Sequence, residues 1–229
     1  ARTFAYTRPD PRTLVMTWQD FAGTENSSLQ VQTMVSLEEK TALSSWRISL
    51  QGIDNKRIDQ LIFPRIARLR DSGEERLAVP QWMGRLMKNP RLELAKLNSE
   101  PKKFEWTYPG IFSLQCLALY HPQSSGLYAA CNDSLAFIKN FSIRLDTLQT
   151  LVYGLHHFPA YDSTLTDYAP AYAALIGVFQ GNWLTAAERY REWATKQRWC
   201  RESRFAAGKT PDWLEDTALW MWNRSRSDN

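Results

Sequence analysis

Polar and apolar side chains alternate along most of the chain as far as residue 180. "TLVMTWQ" (13–19), "SLQVQTMVSL" (28–37) and "SSWRISLQ" (44–51) each alternate over five or more residues and end at Gly, Asn or Asp, the pattern of half-buried strands. "DQLIFPRIARL" (59–69) continues the series, but Pro64 cannot donate to a ladder and places its strand at a sheet edge or a bulge. "FSLQCLALYH", "GLYAACND", "LAFIKNFSI", "TLQTLVYGLHHF" and "YAALIGVFQ" extend it to at least nine strands. Connections of hairpin length without intervening helices predict an antiparallel, mainly β fold. A Greek-key sandwich of this strand count needs about 100 residues, and the strand-bearing part is nearly twice that, which predicts a large sandwich over 1–181. Between residues 13 and 181 no helix longer than about two turns is expected.

The turn "HPQSSG" (121–126) joins two of these strands. A hairpin centred on it pairs Tyr120 with Leu127, Ala118 with Ala129 and Cys116 with Cys131. Directly opposed cysteines have Cα atoms about 4.5–5.5 Å apart, and two buried thiols side by side are expected there rather than a bond.

The pattern changes at "GNWLTAAERYREWATKQRWC" (181–200), which reads as a helix. Thr185 followed by Glu188 has the spacing of a capping box. Ala186, Tyr190, Trp193 and Gln197 line one face, widened by Ala187 and Ala194. A polar stretch, "RESRFAAGKT", follows, and then "TALWMW" (217–222), apolar on both faces like a strand buried on two sides in a parallel sheet. Residues 182–206 are therefore expected as a linker helix and 207–229 as the start of a further domain. Two stretches remain without regular pattern, 70–111 and 157–170, both rich in aromatic residues. Loops so long in a compact domain are functional or disordered, and the aromatics argue against disorder.

Composition narrows the classes. No run of apolar residues is long enough to span a membrane, and the N-terminal "ARTFAYTRPDPRT" lacks the build of a signal peptide. The net charge of +4 comes from basic residues scattered among acids, which argues for a solvated surface and against a nucleic-acid face. Ten tryptophans are compatible with sugar stacking as well as core packing, since C–H-rich pyranose faces lie on aromatic rings. Three cysteines make no disulfide framework and match no zinc spacing, so no metal and no cofactor is expected. Asn26, Asn132, Asn140 and Asn223 begin Asn-x-Ser sequons, which matter only in a secreted eukaryotic protein.

The order "GVFQGNWLTAAERYREWATKQRWC" then "TPDWLEDTALWMWNRSRSDN" resembles a poorly characterised group of glycoside-hydrolase-like proteins. "SSWRISLQG", "FPRIARL", "QWMGRLMKNP", "YPGIFSLQCLALYH" and "GLYAACNDS" resemble the same group, so the likeness runs over nearly the whole chain, in diffuse motifs of which none is catalytic. The resemblance implies a galactose-mutarotase-like β-supersandwich followed by a linker helix and a (β/α)8 barrel, of which "TALWMW" is the first strand. It also implies that the two catalytic carboxyl groups of a glycosidase belong to that barrel, where such groups project from strand ends. The implied partners are carbohydrate and the barrel of the same polypeptide, and an extracellular or periplasmic location is favoured.

Catalysis by the sandwich itself is not expected. Aldose epimerases of similar fold use a His acid and a Glu base, but His121 lies in a turn, and His156 and His157 alternate in a strand as structural histidines do. No nucleophile elbow, dinucleotide fingerprint or P-loop is present. Cys200 sits at a helix C-terminus, where the dipole disfavours a thiolate. Binding remains. Trp82 and Arg85 in "PQWMGRL", with Trp106 and Tyr108 in "EWTYPG", place aromatics and a donor in the long stretch. Gln115 and Asp133, at the rim of the hairpin, offer an amide and a carboxylate to sugar hydroxyls. Packing is the competing role for the aromatics, and an ordinary turn for Asp133. Two functions fit: the N-terminal domain of a carbohydrate-degrading enzyme, forming one wall of a barrel active site, or a free-standing carbohydrate-binding or scaffold module. Several of Trp183, Trp199, Trp213, Trp220 and Trp222 are expected to be exposed under the first.

Overall fold

The computed structural model describes residues 1–21, 28–53, 58–159 and 165–218. They divide into compact units of residues 1–190 and 191–229. The first unit carries two antiparallel sheets. In chain order its strands are β1 (Thr3–Asp10), β2 (Thr13–Gln19), β3 (Gln30–Leu37), β4 (Leu43–Gln51), β5 (Leu61–Leu69), β6 (Arg76–Val79) and β7 (Arg85–Lys88). After the short helix α1 (Pro90–Ala95) come β8 (Lys103–Tyr108), β9 (Cys116–Tyr120), β10 (Ser125–Cys131), β11 (Lys139–Leu145), β12 (Leu151–His157) and β13 (Ala174–Gln180). The nine-stranded sheet runs β1-β2-β3-β4-β13-β10-β9-β6-β7, and the four-stranded sheet runs β5-β12-β11-β8. The fold is mainly β with large antiparallel sheets, as the alternation predicts. Among the described residues before 181 the one α-helix is α1, of six residues, and no described helix is long and apolar enough to cross a membrane.

Alternation sets the core. Leu117 and Leu119 of β9, Ala129 and Cys131 of β10, and Ala174 and Ile176 of β13 meet Phe141 and Ile143 of β11 and Tyr153 and Leu155 of β12. Phe112 stacks on Phe141 at 4.8 Å and on Trp106 at 5.8 Å between ring centroids, closing one end of that layer. Each such ring or branched side chain contributes about 1.5–3 kcal/mol by leaving water. Pro64 lies in β5, which is an edge strand and also shifts register against β12 in two places.

Three expectations are corrected. The stretch 70–111 is not a long irregular loop, because it folds into β6, β7, α1 and β8. β6 and β7 have four residues each, too short for alternation to stand out. The Cys116–Cys131 pairing fails by one residue. Cys116 faces Ala130, and Tyr120 faces Gly126. The cause is the turn: the His121 amide donates to the Ser125 carbonyl at 3.1 Å, so the loop holds three residues rather than four. A one-residue slip sends the two thiols to opposite faces, and both cysteines are free. Finally, helix α2 (Trp183–Ala194) starts before the expected capping box. Its cap is Asn182, whose Oδ1 accepts the Leu184 amide at 2.8 Å, and Thr185 lies inside the first turn.

The start of α2 packs on the outer face of the large sheet. Ala186 and Tyr190 are buried there, and the Arg189 guanidinium lies over the Tyr128 ring at 5.6 Å. The second unit contains the end of α2, α3 (Arg198–Arg201) and α4 (Asp212–Glu215). Within it Trp193 meets Trp199 edge-on at 5.6 Å. Most of "TALWMW", with Trp220 and Trp222, lies outside the described residues, as do Asn26 and Asn223.

Candidate functional site

The β6–β7 hairpin builds one wall of a groove in the first unit. Its tip is fixed by the segment that leads into β9: the Trp82 amide donates to the Ile111 carbonyl at 2.9 Å, and the Ser113 amide to the Pro80 carbonyl at 2.9 Å. Trp82 itself takes a left-handed backbone (φ 55), rare for a bulky side chain, beside Gly84 at φ 103. The result is a rigid turn that holds Trp82 67% exposed, with Met83 fully exposed next to it. Below the tip, Ala78 faces both Leu86 and Ala118 across the ladder, so small side chains floor the outer face of the sheet. Trp183, Ala186 and Ala187 of α2 form the opposite wall of a groove of about 470 Å³, within the range of small-molecule sites.

Arg85 does not serve that groove with its charge. It sits two residues from Met87 and so points to the other side of the sheet. There its guanidinium binds Glu93 at 2.6 Å and covers the Phe104 ring at 5.7 Å. Trp106 is buried, stacked on Phe112 and donating its indole N–H to Gln81 at 3.1 Å.

Gln115 and Asp133 are not at an open rim; both are buried around a lysine that sequence reasoning passed over. Lys139 is 0% exposed. Its three N–H groups donate to Asp133 Oδ2 at 2.6 Å, the Phe137 carbonyl at 2.5 Å and Gln115 Oε1 at 3.2 Å. Its ammonium also lies 4.4 Å from the Tyr172 ring centroid and 4.9 Å from that of Tyr108. Gln115 donates onward to the Asp133 carbonyl at 2.8 Å, and Asp133 accepts the amides of Leu135 and Phe137. Every donor of the lysine is satisfied. Burial pulls the Lys139 ammonium below its ordinary pKa, and the hydrogen bond to Asp133 opposes that pull. This cluster is closed and holds the 133–138 loop onto the sheets.

Both adjacent histidines are buried and bonded. His157 bridges the Tyr172 hydroxyl at 2.7 Å and the Phe63 carbonyl at 2.6 Å, and burial holds its pKa down to about 4. His156 bonds Ser142 Oγ at 2.8 Å and lies 4.0 Å from Glu105, which also accepts from Asn140 and Lys103. Asn140 is buried in that network, which leaves its sequon no access for a glycan. Among the described residues no three His, Cys, Asp or Glu converge as metal ligands would. Of the six side chains singled out in the sequence, the structure thus brings Tyr108, Gln115 and Asp133 together, leaves Trp82 in the open groove, and sets Arg85 and Trp106 into packing. Trp183 was singled out for exposure rather than for this groove; no local signal joins it to Trp82.

The sandwich has solved counterparts. The chain superposes on the alpha-N-acetylgalactosaminidase NagBb from Bifidobacterium bifidum with a TM-score of 0.59 for a quadruple mutant, at 13% identity. The ligand-free form gives 0.58 at 12% identity, and a GalNAc complex gives 0.58 at 13%. In each case 86% of this chain is covered but 31% of the other, so the chain spans about a third of that protein's length. Identity this low shows the fold alone, and these fold neighbours are forms of a glycoside hydrolase. The profile of a family described as Domain of unknown function (DUF6259) matches residues 168–229. No curated protein matches.

Proposed function

We propose that this chain is the N-terminal, carbohydrate-associated domain of a glycoside hydrolase acting on poly- or oligosaccharide. In this reading residues 1–181 are a galactose-mutarotase-like supersandwich, 182–206 a linker helix and 207–229 the start of a (β/α)8 barrel. The barrel carries the catalytic carboxylates, and the sandwich forms one wall of its active site. Carbohydrate and the barrel are the partners; nucleic acid and membrane are not. The observation that carries the reading is exposed tryptophan around and after the helix: Trp183 is 51%, Trp199 45% and Trp213 66% exposed. Exposed tryptophans that another domain covers would account for these values. Its fold, shared with a protein named as an alpha-N-acetylgalactosaminidase, supports the same reading.

The groove between Trp82 and Trp183 favours a second reading, a free-standing carbohydrate-binding module, since each of its walls carries a tryptophan, the side chain whose ring stacks on a pyranose. In both readings Trp82 and Trp183 are the stacking residues. Arg85, Trp106, Tyr108, Gln115 and Asp133 hold the scaffold behind them.

The test compares this chain with a longer product of the same gene that continues beyond Asn229. Aryl glycosides, an α-GalNAc glycoside among them, are hydrolysed by the longer product alone if the barrel carries the chemistry. Turnover by residues 1–229, abolished by one Asp or Glu substitution within them, overturns that division. Oligosaccharide binding by residues 1–229 that Trp82→Ala weakens at least tenfold, with no turnover in the longer product, favours the free-standing module.

A further inference from the structure

A buried ion pair contributes little net stability over an apolar pair of the same size, so the conformation it fixes is the thing to explain. Asp133 and Lys139 fix the loop 132–138 between β10 and β11. Asp133 accepts the amides of Leu135 at 2.9 Å and Phe137 at 2.7 Å, and Lys139 holds the Phe137 carbonyl. Ala136, between them, takes a left-handed backbone (φ 56), which a residue with a side chain keeps only where its surroundings determine it. A loop pinned so firmly could turn its apolar side chains inward. It does the reverse. Leu135 is 70% and Ile138 62% exposed, and Phe137, half exposed, stacks on Tyr172.

The apolar face extends beyond the loop. The segment that leads into β9 lies against it, joined by the Gln115 amide on the Asp133 carbonyl at 2.8 Å. That segment adds Ile111 and Leu114, both exposed. Across 109–115 and 132–138 the one charged residue is Asp133, which is buried. The opposite end of the sheets, where β6 and β8 begin, is charged: 71–75 and 89–102 hold Asp71, Glu74, Arg91, Glu93, Lys96 and Glu100. An apolar, uncharged face has the make-up of an interface core. Its pinned backbone removes the ordering cost that binding otherwise meets.

We propose that this face, formed by Ile111, Leu114, Leu135, Phe137 and Ile138, is where the (β/α)8 barrel continuing beyond Asn229 docks. The inference rests on the reading of this chain as the N-terminal domain of a glycoside hydrolase. Two observations select the barrel as occupant. The first is where the chain leaves the first unit. Tyr190 of α2 is the last residue of that unit, and its hydroxyl hydrogen-bonds Gln115. Gln115 also bonds Lys139 and Asp133, so one residue ties the pinned loop to the point from which the chain runs on. A domain tethered there meets the face at high effective concentration, and a contact below the roughly 1,000 Å² that separate partners need is enough. The second is charge. An anionic membrane selects Lys and Arg beside the apolar side chains that enter it, and neither segment of this face contains one. Leu114 also lines the groove of Trp82 and Trp183, so a barrel seated here borders that groove.

Hydroxyl-radical footprinting read by mass spectrometry tests this, comparing residues 1–229 with the longer product of the same gene. Leu135 starts at 70% exposure, so its labelling is expected to fall at least about fivefold on entering a dry interface in the longer product. Phe137 and Ile138 are expected to follow it. Leu92 and Leu148, exposed at the charged end, should label equally in both proteins. Leu135→Asp combined with Ile138→Asp is expected to restore the labelling of Phe137 in the longer product, at an unchanged circular dichroism spectrum of residues 1–229. Equal labelling of the loop in the two proteins overturns the proposal. So does a loop that stays labelled in the longer product until anionic vesicles or a higher protein concentration protect it. A longer product that hydrolyses aryl glycosides while its loop stays labelled refutes this face and leaves the enzyme reading intact. A protected loop without turnover supports the face and counts against the enzyme reading alone.

Discussion

Removing the carboxylate beside Lys139 is the sharpest test of the buried cluster. In Asp133→Asn the ammonium stays fully buried and loses its 2.6 Å partner. It keeps the Phe137 carbonyl and Gln115, both neutral. The new amide also sets its NH2 against one of the two backbone amides, Leu135 and Phe137, that each donate to one carboxylate oxygen. Breaking a buried pair from one side costs about 3–5 kcal/mol, a large part of a total stability of about 5–15 kcal/mol. Lys139→Met is expected to cost a similar amount, because it strands the carboxylate. The double variant buries no charge and should cost at least about 1 kcal/mol less than the two single losses added together. The pH dependence has a definite sign. Asp133 is a group that raises the lysine's pKa against burial, so its removal lowers that pKa further. The native state of Asp133→Asn then holds fewer protons than the unfolded chain between the lowered value and the ordinary 10.5. Its stability must therefore rise with pH through that window. Urea unfolding of the four proteins at pH 7 and pH 9 reads both effects. A loss below about 1 kcal/mol for Asp133→Asn, or strict additivity in the double variant, refutes the reasoning.

Two further outcomes follow from burial. His157, held neutral down to about 4 against an ordinary 6.5, makes the native state bind fewer protons than the unfolded chain between those values. Stability present above pH 6.5 is thus lost as pH falls toward 4, by up to about 3 kcal/mol, and urea midpoints of His157→Gln should show a flatter profile over that window. Burial pushes the Cys116 thiol up to about 12 and the Cys131 thiol higher still. A thiol reagent is therefore expected to label Cys200 alone in the native protein and all three cysteines in denaturant, with no disulfide on a non-reducing gel; native labelling of Cys116 or Cys131 would contradict the packing.

Much of the fold was legible because alternation survives wherever a strand has one core face. "TLVMTWQ" coincides with β2 residue for residue. β8 was legible too, since Phe104, Trp106 and Tyr108 alternate with Lys103, Glu105 and Thr107, but the surrounding prolines and glycines drew the whole stretch into a loop. β1 carries only a short signal, Phe4 and Tyr6 against Thr3, Ala5 and Thr7, because the whole strand is exposed and no core extends the pattern. Hairpin register was not legible, since it turns on whether His121 joins the turn or the ladder, and a single amide bond decides that.

The candidate site shows the same division. Trp82 is exposed because a left-handed turn and a bond to Ile111 hold it out, and neither has a local sequence signature. Its neighbour Trp183 reaches the groove through a helix a hundred residues away in the chain. Lys139, by contrast, could have been found. β11 places Phe141, Ile143 and Leu145 in the core, and Lys139 occupies the next position in that register. A lysine in a core position must be neutral or paired. Asp133 is the one carboxylate between the end of β10 and Lys139, on a loop short enough to fold back. The spacing therefore pairs Asp133 with Lys139, and a carboxylate held in a buried pair is not available to a sugar hydroxyl.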